Sequence, residues 1–203
     1  MKLIVGLGNP GPRYRRTRHN VGVRLLEAVA ERAGASAPES RFAGRWAEGA
    51  LAGERVGLLA PETYMNRSGE AVAQALAALP GVDPAADLLV LFDDADLPLG
   101  RLRLRARGSS GGHNGLGDVL ARLGSEAVPR LRFGIGRPAL PQGTVDFVLE
   151  PFAEAEEAVL AEALPRAADA AACFVAEGIA PAMNRFNGPI DWGLSGPNHE
   201  KQP

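Results

Sequence analysis

The sequence predicts an α/β fold, a three-layer single domain with a mixed, largely parallel central sheet flanked by helices. Short apolar segments typical of strands alternate along the chain with longer segments whose apolar residues recur at helical spacing. The chain has 203 residues, and a domain of this size removes roughly 70% of its unfolded surface from water. We therefore expect one domain over residues 1–187, with a core that needs neither a metal nor a disulfide.

The first half of the chain predicts three strands separated by two helices. The strands are the apolar runs at residues 3–5, 55–60 and 88–92. Apolar residues at helical spacing predict helices at residues 21–33 and 69–79. The apolar face of the first helix consists of Val23, Leu26, Val29 and Ala30.

The second half predicts two more strands, two more helices and a tail. We expect strands at residues 131–135 and 145–149, and helices at residues 116–123 and 153–177. The last helix should be interrupted near Pro165, because proline has no backbone N–H to donate. Residues 188–203 are rich in glycine and proline and predict a loosely ordered C-terminal tail.

Two of the three histidines are followed by asparagine in turn-forming or glycine-rich sequence. They are His19-Asn20, within TRHNVG, and His113-Asn114, within GGHNGL. An imidazole with an ordinary pKa of about 6.5 can accept a proton at neutral pH, and an amide can both donate and accept hydrogen bonds. The two pairs therefore indicate a hydrolytic site.

The segment after the first strand, GLGNPG at residues 6–11, matches the dinucleotide-binding pattern GxGxxG. That fold needs a helix beginning at the glycines, and Pro10 and Pro12 interrupt such a helix. We therefore expect no cofactor here. The glycines instead predict a tight turn that directs Asn9 into a cleft at the strand end. The competing interpretation is that Asn9 only caps the turn.

The strand at residues 88–92 delivers three carboxylates, Asp93, Asp94 and Asp96, to the edge of the sheet. A carboxylate can hold a histidine in one tautomer and stabilise its protonated form. The alternative is a Mg²⁺ or Ca²⁺ site, since these ions prefer carboxylate oxygens, although no EF-hand or zinc-type spacing accompanies the cluster. A solvated turn is a third interpretation for Asp94 and Asp96.

A second polar segment, Tyr64-Met65-Asn66, follows the strand at residues 55–60 and precedes a helix. It brings an aromatic face, an apolar side chain and an amide to a strand end, where open α/β sheets bind ligands. The competing interpretation is that Asn66 caps the helix.

Arginine is concentrated in a few segments, although the net charge is −2. Four arginines precede His19, and a second group alternates with apolar residues at Arg101, Arg103, Arg105 and Arg107. As a strand, residues 101–107 place all four guanidinium groups on one face. This polarised charge favours a polyanionic partner such as nucleic acid. A solvated edge strand is the competing interpretation.

The composition predicts a cytoplasmic protein. The single cysteine, Cys173, lies in an apolar run and cannot form an internal disulfide. Met1 and Lys2 lead directly into a strand instead of a signal peptide, and no segment approaches the roughly 20 apolar residues that cross a bilayer. We therefore expect no membrane partner.

Taken in order, these motifs resemble one family closely, the bacterial-type peptidyl-tRNA hydrolases. The motifs are GLGNPG, TRHNVG, TYMNRSG, DDADLPLG, GGHNGL and RLRFGIG, and they extend over nearly the whole chain. The resemblance implies a monomeric enzyme without metal or cofactor that cleaves the ester between a peptide and the 3′ ribose of tRNA. Such an enzyme recycles peptidyl-tRNA released prematurely from ribosomes. The alternatives are a non-catalytic RNA-binding relative with the same fold and a metal hydrolase that uses the acidic cluster.

The resemblance also implies a role for each motif residue. His19 would be the general base, Asp93 would stabilise its protonated form, and Asn9 would distinguish N-blocked from free aminoacyl substrates. Arg105 and Arg132 would bind the 5′ phosphate of tRNA. The other substrate-binding residues would be Tyr14, Asn20, Tyr64, Met65, Asn66, His113 and Asn114. The chain departs from the family pattern at Phe92, where a histidine is common, and at residues 109–110, where serines replace glycine or histidine.

Overall fold

Seven strands form one mixed sheet in the computed structural model, which describes residues 1–137 and 144–189. The strands are β1 (Lys2–Gly6), β2 (Glu39–Arg41), β3 (Gly44–Leu51), β4 (Glu54–Pro61), β5 (Leu88–Asp94), β6 (Leu102–Arg105) and β7 (Arg130–Gly134). Their order is β2-β3-β4-β1-β5-β7-β6. The four central strands are parallel, and antiparallel strands complete both edges. The predicted sheet type is confirmed.

Helices cover both faces of the sheet, which confirms the predicted three layers. They are α1 (Val21–Arg32), α2 (Ser68–Ala78), α3 (Pro84–Asp87), α4 (Asn114–Leu123), α5 (Thr144–Leu149), α6 (Glu154–Glu177) and α7 (Ile179–Phe186). Two 3-10 turns, Arg18–Asn20 and Met65–Arg67, lead directly into α1 and α2. Helices α1, α6 and α7 pack on one face, and α2 and α4 pack on the other. Among the described residues, no helix combines the length and the apolar character needed to cross a membrane.

The side chains of β1 show how the sheet divides the core in two. Ile4 packs in the cluster that contains residues of α1 and α6, whereas Leu3 and Val5 pack in the cluster with α2 and α4. This alternation is the period of two expected for a strand. All three side chains are fully buried, and each such burial contributes about 1.5–3 kcal/mol before entropy is counted.

The strand predicted at residues 145–149 is wrong, because this segment forms helix α5. Strand β7 already pairs with β5 on one side and β6 on the other, so no position beside it is open. Phe147 and Val148 are half-buried and Leu149 is exposed, as on a surface helix. A short apolar run does not by itself distinguish these two structures.

The predicted break near Pro165 is also wrong, because α6 is continuous from Glu154 to Glu177. A proline removes only one intrahelical hydrogen bond, here the bond to the carbonyl of Ala161. Buried alanines on both sides of Pro165 hold the helix against the sheet, namely Ala163, Ala167, Ala168, Ala170 and Ala171.

The sequence reasoning missed strands β2 and β3. A two-residue turn joins β3 to β4, with positive φ at Ala52 (51°) and Gly53 (83°), the geometry of a type I′ hairpin. The pair Ala-Gly is not one of the common signals for that turn. Most of the predicted tail, residues 190–203, lies outside the described residues.

The free edge of β6 is covered by the side chain of Asn187, directly after α7. The Leu104 backbone N–H donates to Asn187 Oδ1 (2.7 Å), and Asn187 Nδ2 donates to the Leu104 carbonyl (3.1 Å). Arg101 Nη2 donates to the Asn187 carbonyl (2.6 Å). The amide thus bonds to the strand edge as a neighbouring strand would.

Candidate active site

A cavity of about 960 Å³ opens at the carboxyl ends of the parallel strands, where open α/β sheets bind ligands. All predicted site residues except Tyr14 and Asn20 line it, namely Asn9, His19, Tyr64, Met65, Asn66, Asp93, Arg105, His113, Asn114 and Arg132. Residues far apart in sequence therefore meet at one place.

His19 reaches this cavity because α1 lies very close to the sheet. A Cβ added at Gly22 would lie 2.5 Å from the carbonyl oxygens of both Leu7 and Leu91, so only glycine permits the approach. His19 belongs to the 3-10 turn that directly precedes α1. The glycine after the first His-Asn pair is thus a packing requirement that positions the histidine.

Asp93 lies between two histidines. His19 Nδ1 is 2.8 Å and His113 Nε2 is 3.0 Å from the same oxygen, Asp93 Oδ1. The carboxylate is 4% exposed. Burial alone would raise the pKa of Asp93, but the attraction of His113 and His19 and their hydrogen bonds outweigh burial and hold this pKa well below its ordinary value. Asp93 is therefore ionised at neutral pH.

A backbone amide fixes the tautomer of His113. Its Nδ1 accepts from the N–H of Leu116 (3.1 Å), which makes His113 the N-cap of α4. In the neutral ring the proton must then be on Nε2, where it is donated to Asp93. Asp93 in turn accepts from Nδ1–H of His19, so the lone pair of neutral His19 is on Nε2. That is the form a general base requires.

The side chain of Asn9 is held in one orientation. Its Oδ1 accepts from the Met65 backbone N–H (2.9 Å), which leaves its Nδ2 as the group able to donate into the cavity. The competing interpretation, that Asn9 only caps its own turn, does not fit this contact with a distant loop. The dinucleotide motif is likewise unsupported, because α1 begins at Val21 and not at the glycines.

Asn20 does not line the cavity. It is 5% exposed, its Oδ1 accepts from the Asn9 backbone N–H, and its Nδ2 donates to the Asn9 carbonyl, both at 2.9 Å. Because both groups of its amide bond to the Asn9 backbone, Asn20 supports Asn9 in this structure. Tyr14 also lies outside the cavity lining, and its ring stacks with the guanidinium of Arg13 (4.7 Å).

The two remaining asparagines, Asn66 and Asn114, also line the cavity. Asn66 belongs to the 3-10 turn before α2 and Asn114 is the first residue of α4; both are exposed. The interpretation of Asn66 as a helix cap is wrong, because α2 begins at Ser68 and no side chain caps it. Phe92, which stands where a histidine is common, packs against the His113 ring with centroids 4.7 Å apart.

The three carboxylates of the acidic turn do not converge. Asp93 contacts the histidines, Asp94 pairs with Arg132, and Asp96 lies 3.4 Å from Arg137. Donor atoms of His19, Asp93 and His113 do lie within 4.8 Å of one another. A metal at His113 Nε2 would, however, move the proton to Nδ1, where it would face the N–H of Leu116. The donor set therefore does not fit a metal.

Arginines form the other end of the cavity. Within β6, Leu102 and Leu104 are buried on one face of the strand, and Arg103 and Arg105 lie on the other face. The predicted alternation therefore holds within the strand. The predicted row of four is shorter in the structure, because Arg101 turns to Asn187 and β6 ends at Arg105. Arg132 is held by Asp94. Arg132 lies opposite Arg103 in the β6–β7 register. Because the two positive charges repel each other, this position favours a bound anion between them.

Sequence reasoning missed three residues that shape the cavity. Arg130 is 2% exposed and donates only to backbone carbonyls, including that of Ser109 (3.0 Å), so it holds the loop before His113. The alternation Arg130-Leu131-Arg132 was the available signal. Val148 and Leu149 of α5 form an apolar wall of the cavity. The sequence analysis did not place them there because it predicted a strand at residues 145–149.

Comparison with known proteins agrees with this geometry. The family model described as peptidyl-tRNA hydrolase matches residues 3–192. A peptidyl-tRNA hydrolase of Symbiobacterium thermophilum is 57% identical over 92% of this chain and 98% of its own length. One from Chloroflexus aggregans is 53% identical over 92% and 99%.

A solved structure also matches. The crystal structure of peptidyl-tRNA hydrolase from Acinetobacter baumannii is 35% identical, with a TM-score of 0.83 over 92% of this chain and 94% of that chain. From the family match over nearly its whole length and these relatives, we conclude that the chain belongs to the peptidyl-tRNA hydrolase family.

Proposed function

We propose that this protein hydrolyses the ester that joins a peptide to the 3′ ribose of tRNA, with His19 as general base. The observation that carries the proposal is the proton arrangement at Asp93. His19 donates through Nδ1, and no described residue contacts its Nε2, which is left to remove a proton from an attacking water. Asp93 stabilises the imidazolium that forms.

The amides around His19 supply the second requirement, stabilisation of the developing oxyanion. Asn9 has only its Nδ2 available, because Met65 occupies its oxygen. Asn66 and Asn114 flank the same cavity and can orient the water or the carbonyl. Donors fixed before the reaction lower the barrier without the cost of reorganisation, and no covalent intermediate is needed.

Substrate choice follows from the same groups. A site that hydrogen-bonds the peptide unit rejects a substrate without it, because the polar groups of the site are then left unpaired. We assign this discrimination to Asn9. Arg105 and Arg132 are assigned to the tRNA 5′ phosphate, which supplies affinity that does not depend on sequence. Tyr64 and Met65 offer apolar surface to the acyl group.

We further propose that the enzyme works as a monomer in the cytoplasm, where peptidyl-tRNA is produced, and that residues 188–203 form a tail outside the catalytic domain. Size-exclusion chromatography with light scattering tests the first point. Full activity of a chain ending at residue 187 tests the second.

One assay tests the proposed activity. N-blocked aminoacyl-tRNA is incubated with the protein in the presence and absence of EDTA. Cleavage at equal rates supports the proposal. Cleavage that EDTA abolishes would indicate a metal hydrolase, and tRNA binding without cleavage would indicate a non-catalytic RNA-binding protein.

A further inference from the structure

Arg18, the neighbour of His19, is a buried cation that the proposed reaction does not use. Its side chain is 8% exposed, and both terminal nitrogens donate to Glu156, at 3.0 and 2.8 Å. This is the bidentate arrangement that orients both partners. Its backbone N–H donates to the Glu150 carbonyl (2.9 Å). The turn that carries His19 is thus tied to the segment between α5 and α6.

The guanidinium also lies against two aromatic rings. Its central carbon is 4.3 Å from the ring centroid of Phe147 and 4.9 Å from that of Phe152. Phe147 belongs to α5, whose next two residues, Val148 and Leu149, line the cavity. Arg18 therefore belongs to the turn that holds the base and contacts the helix that forms one cavity wall.

Glu156 connects this arrangement to α6. Its Oε1 accepts from Nη1 of Arg18, and its Oε2 accepts from Nη2. Oε2 also accepts from the backbone N–H of Ala153 (2.7 Å), at the start of α6. Burial by itself raises the pKa of Glu156, but the hydrogen bonds from Arg18 and Ala153 more than offset this and lower the pKa below 4.5. The carboxylate is thus charged at neutral pH and fixed by the longest helix.

We propose that Arg18 is a positioning residue that holds His19 and the α5 wall of the cavity on one support, Glu156. The inference rests on the proposed function only for its kinetic test. It assigns to the pair Arg18–Glu156 control over the distance between the base and the bound acyl group.

A neighbouring ion pair provides a matched control. Arg24 donates through both terminal nitrogens to Glu157, at 3.0 and 2.7 Å, and joins α1 to α6 as Arg18 joins the preceding turn to α6. Its guanidinium lies 5.8 Å from the ring centroid of Phe152, and among the described residues it forms neither a cation–π pair with Phe147 nor a side-chain hydrogen bond to the turn at residues 18–20. Loss of Arg24 therefore removes a similar ion pair at the same interface without releasing the catalytic turn.

The test compares Arg18→Ala with Arg24→Ala on a minimal N-acyl aminoacyl ester that lacks the tRNA body. We expect kcat to fall by about 10-fold or more for Arg18→Ala, because small displacements of a base are costly, and by less than about twofold for Arg24→Ala. Guanidinium ion, at concentrations too low to unfold the protein, should occupy the vacated space between the rings and Glu156. It should restore kcat in Arg18→Ala, with saturation, and have no such effect on Arg24→Ala.

Equal kcat values for the two variants would overturn the proposal, and so would an Arg18→Ala defect that guanidinium does not relieve although thermal unfolding shows a folded protein. If Arg18→Ala does not fold, Glu156→Gln and Arg18→Lys replace it, with Glu157→Gln and Arg24→Lys as controls. The NMR signals of the His19 ring provide a readout independent of activity. They should shift in the Arg18 and Glu156 variants only, even if the wild-type protein cleaves no peptidyl-tRNA.

Discussion

At the level of single residues, the chemistry depends on the position of one proton. The first prediction is that His19→Ala lowers turnover by roughly 10²–10⁴, the usual contribution of a positioned general base, because Nε2 of His19 forms no hydrogen bond with any residue that the structure describes. Affinity for tRNA, measured by direct binding, should be nearly unchanged, since Arg105 and Arg132, the residues proposed to bind phosphate, are not altered. A His19→Ala protein with normal turnover would remove His19 from the mechanism.

The second prediction separates two neighbouring carboxylates. Asp93→Asn removes the charge beside His19, so kcat should fall by roughly 10² or more. Asp94→Asn releases Arg132 instead, so its main effect should be a higher KM for tRNA substrates. Steady-state kinetics on both variants decide the assignment. If Asp94→Asn lowered kcat and Asp93→Asn did not, the roles assigned to the two carboxylates would be reversed.

The third prediction concerns His113, which the sequence placed at the substrate groove. In the structure it donates to Asp93 and caps α4. Asparagine retains the capping acceptor but is too short to reach Asp93. In His113→Asn the carboxylate loses one donor, so the imidazolium form of His19 becomes more favourable. The acid limb of the kcat/KM profile should therefore move to higher pH, and an unmoved limb would refute the link.

The meeting of most candidate residues at one cavity could be predicted from sequence, because many of them follow a strand end or precede a helix at the same edge of the sheet. Their partners could not. That Asn20 supports Asn9, and that Asp93 bonds to two histidines, depends on packing between residues 11, 20 and 74 positions apart. Local sequence pattern contains no such information.

At the level of elements, β6 brings Arg105 to the cavity. The fourth prediction is that Arg105→Ala raises KM for tRNA substrates and flattens the slope of log affinity against log salt by about 0.7–0.9 units for the lost phosphate contact. A minimal ester without the 5′ phosphate should be unaffected. The control is Arg55→Ala, which removes an equal charge from the start of β4, away from the cavity. Equal salt slopes for Arg105→Ala and wild type would leave β6 as a solvated edge strand.

The α1–α6 interface gives the fifth prediction. Hydrogen bonding to Arg24, against the effect of burial, lowers the pKa of Glu157 from its ordinary value of 4.5. A carboxyl group with a lower pKa in the folded state stabilises that state at all pH values above its unfolded pKa, and this contribution is lost as the pH falls through the folded pKa. The contribution of Glu157 to the free energy of unfolding should therefore be constant near neutral pH and decline below about pH 4.5. Glu157→Gln should show a shallower decline in urea titrations, and an unchanged decline would exclude this pair as a source.

Strands and helices differed in how well the sequence predicted them. The central strands are continuous apolar runs because helices cover both faces. The antiparallel strands β2 and β3 contain exposed residues, all three in β2 and some in β3, and so have no such run. Helix α5 was assigned as a strand because a five-residue apolar segment satisfies both patterns, and only the pairing of β7 on both sides decides between them.

For the molecule as a whole, the layer order followed from the alternation of element types, since strands separated by helices must place those helices on the faces of a sheet. The strand order did not follow. The strand order depends on which neighbour each strand pairs with. Strand β6 lies at the edge of the sheet because it pairs antiparallel with β7, which comes later in the chain. The pairing of β6 with β7 brings Arg105 and Arg132 to the same cavity.

The amide of Asn187 has a consequence for the behaviour of the protein at high concentration. An uncovered strand edge is a template on which another chain can add a strand, the first step of aggregation. At β6 that template is occupied by a side chain of the same molecule. The opposite edge, β2, is only three residues long and carries Glu39 and Arg41, charges that discourage addition. Both ends of the sheet are thereby closed to growth, which favours a protein that stays dispersed among the crowded components of translation.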